Sequence, residues 1–197
     1  MMQWDWLTQQ TALVWEGRLW VLLMLVWVVL MLGMKRAKKR ERWNERARYV
    51  ILLLVSAWLL FGPRSPFEWL KYRVLPDEQG TWGIGLAVTA IGIGIAIWAR
   101  LSLGANWSGT VTLKNHHELV RKGLYRWIRH PIYTGITLAM FGTAAIKGFL
   151  GGFIGAALAL LAFYVKARKE ETFLREEFGA RFEEHAKDTG MFLPKFT

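Results

Sequence analysis

The sequence predicts an all-α, polytopic integral membrane protein of about five transmembrane helices, followed by a cytosolic C-terminal helix. Three observations carry that prediction. The 197 residues are 53% hydrophobic and yet hold a formal charge of +11, a pairing that fits neither an ordinary soluble domain nor a disordered chain. The apolar residues fall into long runs, with the basic residues gathered between them. Twelve Trp are present, and Trp15, Trp20, Trp69, Trp82, Trp98 and Trp107 stand near run edges, where amphipathic rings anchor to the membrane interface.

The runs are about 19–34, 49–61, 82–98, 132–146 and 149–165. Several are shorter than the roughly 20 residues a crossing helix needs, so residues at their ends must contribute. The first extends back toward Thr11 if Glu16 and Arg18 lie in the headgroups, and the second back toward Ala47. The second stops at Gly62-Pro63. In the third, Gly83, Ala87, Ala90 and Gly94 recur at three- and four-residue spacing, a pattern that lets helix backbones approach closely. No strand–turn–helix context surrounds these glycines, so they form no nucleotide fingerprint. Between the second and third runs, Glu68 and Trp69 lie in a proline-punctuated segment expected to rest on the surface as a short amphipathic piece.

Charge sets the topology. The loop 35–48 holds eight Lys/Arg against two Glu, whereas 62–81 balances three basic residues with three acidic ones. The positive-inside bias places the first loop in the cytoplasm, and with it 100–129 and the tail after Val165. The N-terminus and the tight turn at Lys147-Gly148 then lie outside. The first 17 residues lack the positive n-region of a signal peptide, so the first run is expected to remain as a span. Basic residues set between apolar runs argue against a nucleic-acid-binding face. The absence of Cys removes disulfides, thiolate nucleophiles and Cys-based metal sites.

The unusual polar clusters all fall on the predicted cytoplasmic side. The most informative is Gly123-Leu-Tyr-Arg-Trp-Ile-Arg-His-Pro-Ile-Tyr-Thr-Gly135. Pro131 suits the first turn of a helix, which puts His130 near its N-cap. Free amides and the positive dipole end then face whatever lies beside Arg129 and His130, a setting suited to a carboxylate. Arg100, at the exit of the third run, reads either as a positive-inside anchor or as a clamp for an acidic group arriving from the membrane. His116, His117 and Glu118 have the wrong spacing for a zincin helix, so no metal site is expected. An extended Glu118-Leu119-Val120 ahead of Gly123 could present backbone groups to a flat heterocycle.

In the tail, Leu174, Phe178 and Phe182 recur every four residues, and Glu171 falls on the same helical face beside Glu170. A carboxylate there needs a partner. Pairing to Arg168 or Arg175 is one use for it, and holding a ligand ammonium is the other. Together the clusters offer a helix N-terminus and Arg for a carboxylate, Glu for an ammonium and aromatics for a ring. S-adenosylmethionine fits, as other zwitterions would.

The residues Gly104-Ala-Asn-Trp, Lys114, His117-Glu-Leu-Val120, Gly123-Leu-Tyr125, Arg129-His-Pro-Ile-Tyr-Thr-Gly135, Arg168, Glu170-Glu171, Phe178-Gly179 and Leu193-Pro194 resemble the isoprenylcysteine carboxyl methyltransferases and the related phospholipid N-methyltransferases. The resemblance covers about residues 98–197. It implies a membrane enzyme with S-adenosylmethionine in a cytosolic pocket and a lipophilic acceptor arriving from the bilayer. It also implies a division into a three-span region, 1–99, and a methyltransferase core, 100–197. It assigns the cofactor to His117, Glu118, Leu119, Val120, Gly123, Tyr125, His130, Tyr133 and Glu170 or Glu171, with Arg100 and Arg129 as catalytic candidates. Lys187-Asp188 stands where the carboxyl methyltransferases tend to carry an arginine, with Arg181 nearby. A phospholipid amine acceptor, a membrane reductase and a non-catalytic scaffold are the alternatives.

Overall fold

A computed structural model describes residues 8–31, 37–40, 43–62, 67–104, 112–114 and 119–195. Among the described residues six α-helices carry the fold: α1 (Gln9–Met31), α2 (Trp43–Phe61), α3 (Gln79–Leu103), α4 (Pro131–Lys147), α5 (Leu150–Phe178) and α6 (Ala180–Asp188). Of these, α1, α3 and α5 are long and apolar enough to cross a membrane. The other two apolar runs form α2, with 19 residues, and α4, with 17. A short 3-10 helix, Glu68–Lys71, occupies the segment around Trp69.

Small residues set how closely the helices approach. α4 packs on α3 along Gly85, Thr89, Gly92 and Ala96, which meet Gly135, Ala139 and Gly142. A Cβ on Gly135 would lie 2.6 Å from the Ala96 amide nitrogen and the Gly92 carbonyl oxygen, so backbone touches backbone there. This corrects the stripe expected from Gly83, Ala87, Ala90 and Gly94. Ala87, Ala90 and Gly94 are exposed, and a Cβ on Gly94 would touch nothing within 4 Å. The run carries two small-residue stripes at helical spacing, and the buried one is in register with the small residues of α4.

Polar side chains then lash the apolar helices together. Thr143 on α4 donates to Glu16 Oε1 at 2.8 Å and accepts from Trp20 Nε1 at 3.0 Å. Glu16 is therefore buried between α1 and α4. Ser56 on α2 donates to the Gly155 carbonyl of α5 at 2.7 Å. In hydrocarbon such groups must be satisfied internally.

The two ends of the bundle differ. At one end the 72–75 segment pairs with the α4–α5 turn, where the Val74 amide donates to Gly148 and the Leu150 amide to Tyr72. At the other, residues 37–40 and 112–114 form a two-stranded antiparallel sheet, β1 and β2. Neither strand was expected, because two short polar stretches far apart in sequence have meaning as strands only once paired. α5 also continues through the polar tail without a break at Val165, stopping at Gly179 (φ 50°), where α6 begins.

Candidate functional site

The site forms where the start of α4 meets the polar extension of α5. Pro131 occupies the first helical position and His130 is the N-cap, as the sequence predicts. Just before it, 127–130 runs beside 190–191. Gly190 donates its amide to Trp127, while Arg129 and His130 donate theirs to Gly190 and Met191 at 2.9 and 3.0 Å. The chain's end therefore braces the helix start, and Thr134 reinforces this by donating to the Phe192 carbonyl at 2.7 Å.

Glu171 lies at the centre of a charge cluster and is 1% exposed. It accepts from Arg129 Nε at 2.7 Å, contacts His130 Nε2 at 3.3 Å, and takes a longer contact from Arg175 at 3.4 Å. Arg129 also donates to the Ala186 carbonyl at 3.3 Å and to the Thr189 carbonyl. Of the pairings expected for this carboxylate, the one to Arg175 forms, while Arg168 lies elsewhere, lining a groove between α5 and α2.

Glu170 has a different setting. Its side chain keeps 23% exposure while Tyr133 donates to Oε1 at 2.6 Å and His130 Nδ1 lies 3.5 Å from Oε2. The rings form a layered wall. His130 stacks on Tyr133 at 5.6 Å between centroids and Tyr133 on Phe163 at 4.7 Å, with interplanar angles of 5° and 8°. Lys166, buried, sits 5.3 Å from the Tyr133 ring centroid and 5.7 Å from that of Tyr49. Sequence reasoning missed Lys166 and Phe163. The signal for Lys166 was present, since it stands four residues before Glu170 and hence on its helical face.

Electrostatics follow from these contacts. Burial opposes a charge on His130, but hydrogen bonds to Glu170 and Glu171 outweigh it and hold the imidazole above its ordinary pKa. His185 moves the other way, lowered by burial and then by the charges of Arg121 and Arg129. Burial, and after it the charge of Glu170, pushes the Tyr125 hydroxyl up, so Tyr125 stays neutral.

Tyr125 is buried in the short 3-10 helix Gly123–Arg126, in the apolar core it shares with Tyr133 and Phe163, with Val120 packed against that core and Leu119 half-buried. Gly123 holds φ 58° with the end of α3 against it. A Cβ there would lie 2.8 Å from Ser102 Oγ, so only glycine fits both the backbone and the space. Arg121 fastens this loop to α6 through the Arg181 carbonyl and Glu184, the latter at 3.4 Å. His117 and Glu118 lie outside the described residues. Arg100 is buried, and its two terminal nitrogens donate to the Gly104 carbonyl at 2.8 Å and the Leu30 carbonyl at 2.7 Å, closing the ends of α3 and α1. The structure thus brings Arg129, His130, Tyr133, Glu170 and Glu171 into one cluster, with Arg100 tied to helix ends. Among the described residues no group of His, Asp and Glu has the makings of a metal site.

Chemically, the cluster offers a partly exposed carboxylate for a cation, first-turn amides at Ile132 and Tyr133 for an anion, and a wall of rings for a planar group. One helical turn beyond Tyr133, the buried Thr137 hydroxyl has no hydrogen-bond partner among the described residues.

Comparison with known proteins identifies the family. The family model for phospholipid methyltransferases matches residues 81–181, which takes in all but the first two residues of α3, the whole of α4 and α5, and the charged side chains around Glu171. A probable protein-S-isoprenylcysteine O-methyltransferase from Oryza sativa subsp. indica is 31% identical over 150 residues, covering 73% of this chain and 78% of the relative. The protein-S-isoprenylcysteine O-methyltransferase of Xenopus laevis is 30% identical over 157 residues, covering 77% of this chain and 52% of its own. Among solved structures, the eukaryotic intramembrane Ras methyltransferase, an isoprenylcysteine carboxyl methyltransferase, shares the fold with a TM-score of 0.54 at 23% identity. That match covers 77% of this chain, which spans about half the length of the solved one. A family match across half the chain, and a relative of similar length at this identity, make the chain a membrane methyltransferase of the isoprenylcysteine carboxyl methyltransferase and phospholipid methyltransferase superfamily.

Proposed function

We propose that this enzyme transfers the methyl group of S-adenosylmethionine to the carboxylate of an isoprenylcysteine-like acceptor that enters from the bilayer. The observation that carries the proposal is the partly exposed Glu170, held by Tyr133 and His130 at the mouth of a helix N-terminus. Those groups match the two ends of an amino-acid zwitterion. Glu170 takes the ammonium, the amides of Ile132 and Tyr133 take the carboxylate, and the stacked rings beside Val120 and Tyr125 take the base. His117, Glu118, Leu119 and Gly123 complete the cofactor loop in this reading. Glu171, already in contact with Arg129, His130 and Arg175, holds Arg129 and His130 in place.

S-adenosylmethionine supplies an electrophilic methyl group on a sulfonium. The protein's task is to hold the acceptor oxygen close to that methyl and in line with it, which needs no general base when the acceptor is a carboxylate. A dry site favours a displacement in which opposite charges cancel. Arg129 supports the cofactor side, and Arg100, in the last turn of α3, orients the acceptor in this reading. In the membrane we propose five spans, with α2 and α4 joining the three long helices, the N-terminus outside, and α6 and the site in the cytoplasm. The dense positive charge of 35–48, at the end carrying the β1–β2 sheet, supports that orientation.

Thermal unfolding in detergent with S-adenosylmethionine or its demethylated product tests the cofactor assignment. A ligand that binds only the native state raises its apparent stability. Wild type should be stabilised, and Tyr133→Phe and Glu170→Gln less so. No shift in wild type at millimolar ligand rejects the assignment. One observation favours phospholipid N-methylation as a second reading. Lys187 and Asp188, where carboxyl methyltransferases tend to carry arginine, are both exposed, and an amine acceptor would need no arginine there.

A further inference from the structure

Away from the charge cluster, on the opposite side of Lys166, a groove of about 320 Å³ opens between α2 and α5. α2 contributes Glu45, Arg48 and Tyr49, and α5 contributes Arg168, Lys169 and Thr172. Glu45 is its single acid, and it is already bound to Lys169 at 2.9 Å, so the exposed guanidinium groups of Arg48 and Arg168 carry the excess charge. Each of these arginines heads an exposed apolar stripe on its own helix. On α2 the stripe from Arg48 runs through Ile51, Val55 and Trp58, and on α5 the stripe from Arg168 runs through Tyr164 and Leu161. The groove thus sits at the level where two adjacent membrane helices turn from apolar to basic, with Val165 lining its apolar side.

We propose that this groove is a binding site for the phosphate of an anionic phospholipid, held between Arg48 and Arg168 while its acyl chains lie along the two stripes. Arginine suits the task because its planar fork pairs with two phosphate oxygens at once. The Thr172 hydroxyl and the Lys169 ammonium offer further donors. A volume of this order holds a headgroup, at the small end of ligand cavities. The two apolar stripes favour a lipid over a free phosphate, which would have no use for them. A positive-inside anchor needs arginine at this depth but needs no cavity between two of them.

The test is thermal unfolding of the full chain in neutral detergent, titrated in separate arms with short-chain phosphatidylglycerol, short-chain phosphatidylcholine and inorganic phosphate. Phosphatidylglycerol should stabilise the wild type, while phosphatidylcholine and inorganic phosphate at equal concentration should not. Arg48→Gln/Arg168→Gln should weaken phosphatidylglycerol binding about tenfold or more, since each arginine supplies charge-assisted bonds. Lys122→Gln/Lys187→Gln removes the same charge from exposed positions elsewhere and should leave it within about twofold. Arg168→Gln alone gives the same test at smaller amplitude if the double variant is poorly produced. Equal binding by wild type and the arginine variants overturns the proposal, as does an equal loss in the lysine control. Stabilisation by inorganic phosphate matching that by the lipid overturns the lipid assignment.

Discussion

Replacing Glu171 and Glu170 by Gln, one at a time, should separate two carboxylates that are adjacent in sequence and do different work. Glu171 is 1% exposed, with Arg129 Nε at 2.7 Å, His130 Nε2 at 3.3 Å and Arg175 at 3.4 Å. Removing its charge leaves Arg129 and His130 facing each other in a buried site, and breaking a buried pair from one side costs about 3 kcal/mol or more. Glu170 keeps 23% exposure, and in Glu170→Gln the amide oxygen still accepts from Tyr133, so the loss there is about 1 kcal/mol. For a chain of this length those figures correspond to roughly 6–12 °C and 2–4 °C in midpoint. Cofactor binding should invert the order. Glu170→Gln removes the ammonium partner and weakens S-adenosylmethionine about tenfold or more, while Glu171→Gln, measured below its lowered midpoint, keeps most of the affinity. Thermal unfolding in detergent, with and without ligand, reads both. Equal destabilisation by the two variants, or unchanged ligand affinity in Glu170→Gln, refutes the division of roles.

The helix contact at Gly135 should tolerate no side chain. Gly135→Val places carbon within 2.6 Å of the α3 backbone and should cost about 3 kcal/mol or prevent recovery of monodisperse protein, whereas Gly94→Ala, on the open face, should be neutral by size-exclusion profile. Arg100→Gln strips charge-assisted bonds from two helix-end carbonyls and should lower stability by about 3 kcal/mol. If Arg100 also orients the acceptor, turnover at a temperature where the variant is folded falls with cofactor affinity unchanged. Stability should depend on pH through the two buried histidines. His130 gains proton affinity on folding, so its contribution is full below the unfolded value of about 6.5 and is lost as pH rises through the raised folded value. His185 loses proton affinity, so its contribution is lost as pH falls below that same value. The midpoint should therefore decline on both sides of about pH 6.5, and His130→Gln should flatten only the alkaline side.

How much of this was legible in the sequence depends on how local each feature is. Pro131 after His130 names the start of α4 because proline geometry is a property of one residue. Glu171 was readable as a buried, paired carboxylate from its place on the Leu174–Phe178 face, since helical spacing fixes that within one element. The small residues of α3 show where local reading stops. Both stripes have the right period, and only the positions of Gly135 and Gly142 on another helix select Gly92 over Gly94. Arg100 shows the same limit. Its partners are backbone carbonyls 70 and 4 residues away, and carbonyls leave no mark in a sequence. The β1–β2 pair is likewise a long-range contact between two basic loops, invisible to periodicity. The unbroken α5 follows from Lys166-Ala-Arg-Lys-Glu-Glu171, all good helix formers, so the change from apolar to polar marks an interface without ending the helix.

The account rests most directly on methyl transfer by the purified protein in lipid vesicles, given methyl-labelled S-adenosylmethionine and a farnesylated cysteine derivative with a free carboxylate. Label should pass to the acceptor as a methyl ester released as methanol by mild base, and the rate should fall at least tenfold in Glu170→Gln. Label that appears instead as a base-stable N-methyl group on vesicle phospholipid, or transfer that is unaffected in Glu170→Gln, would contradict it.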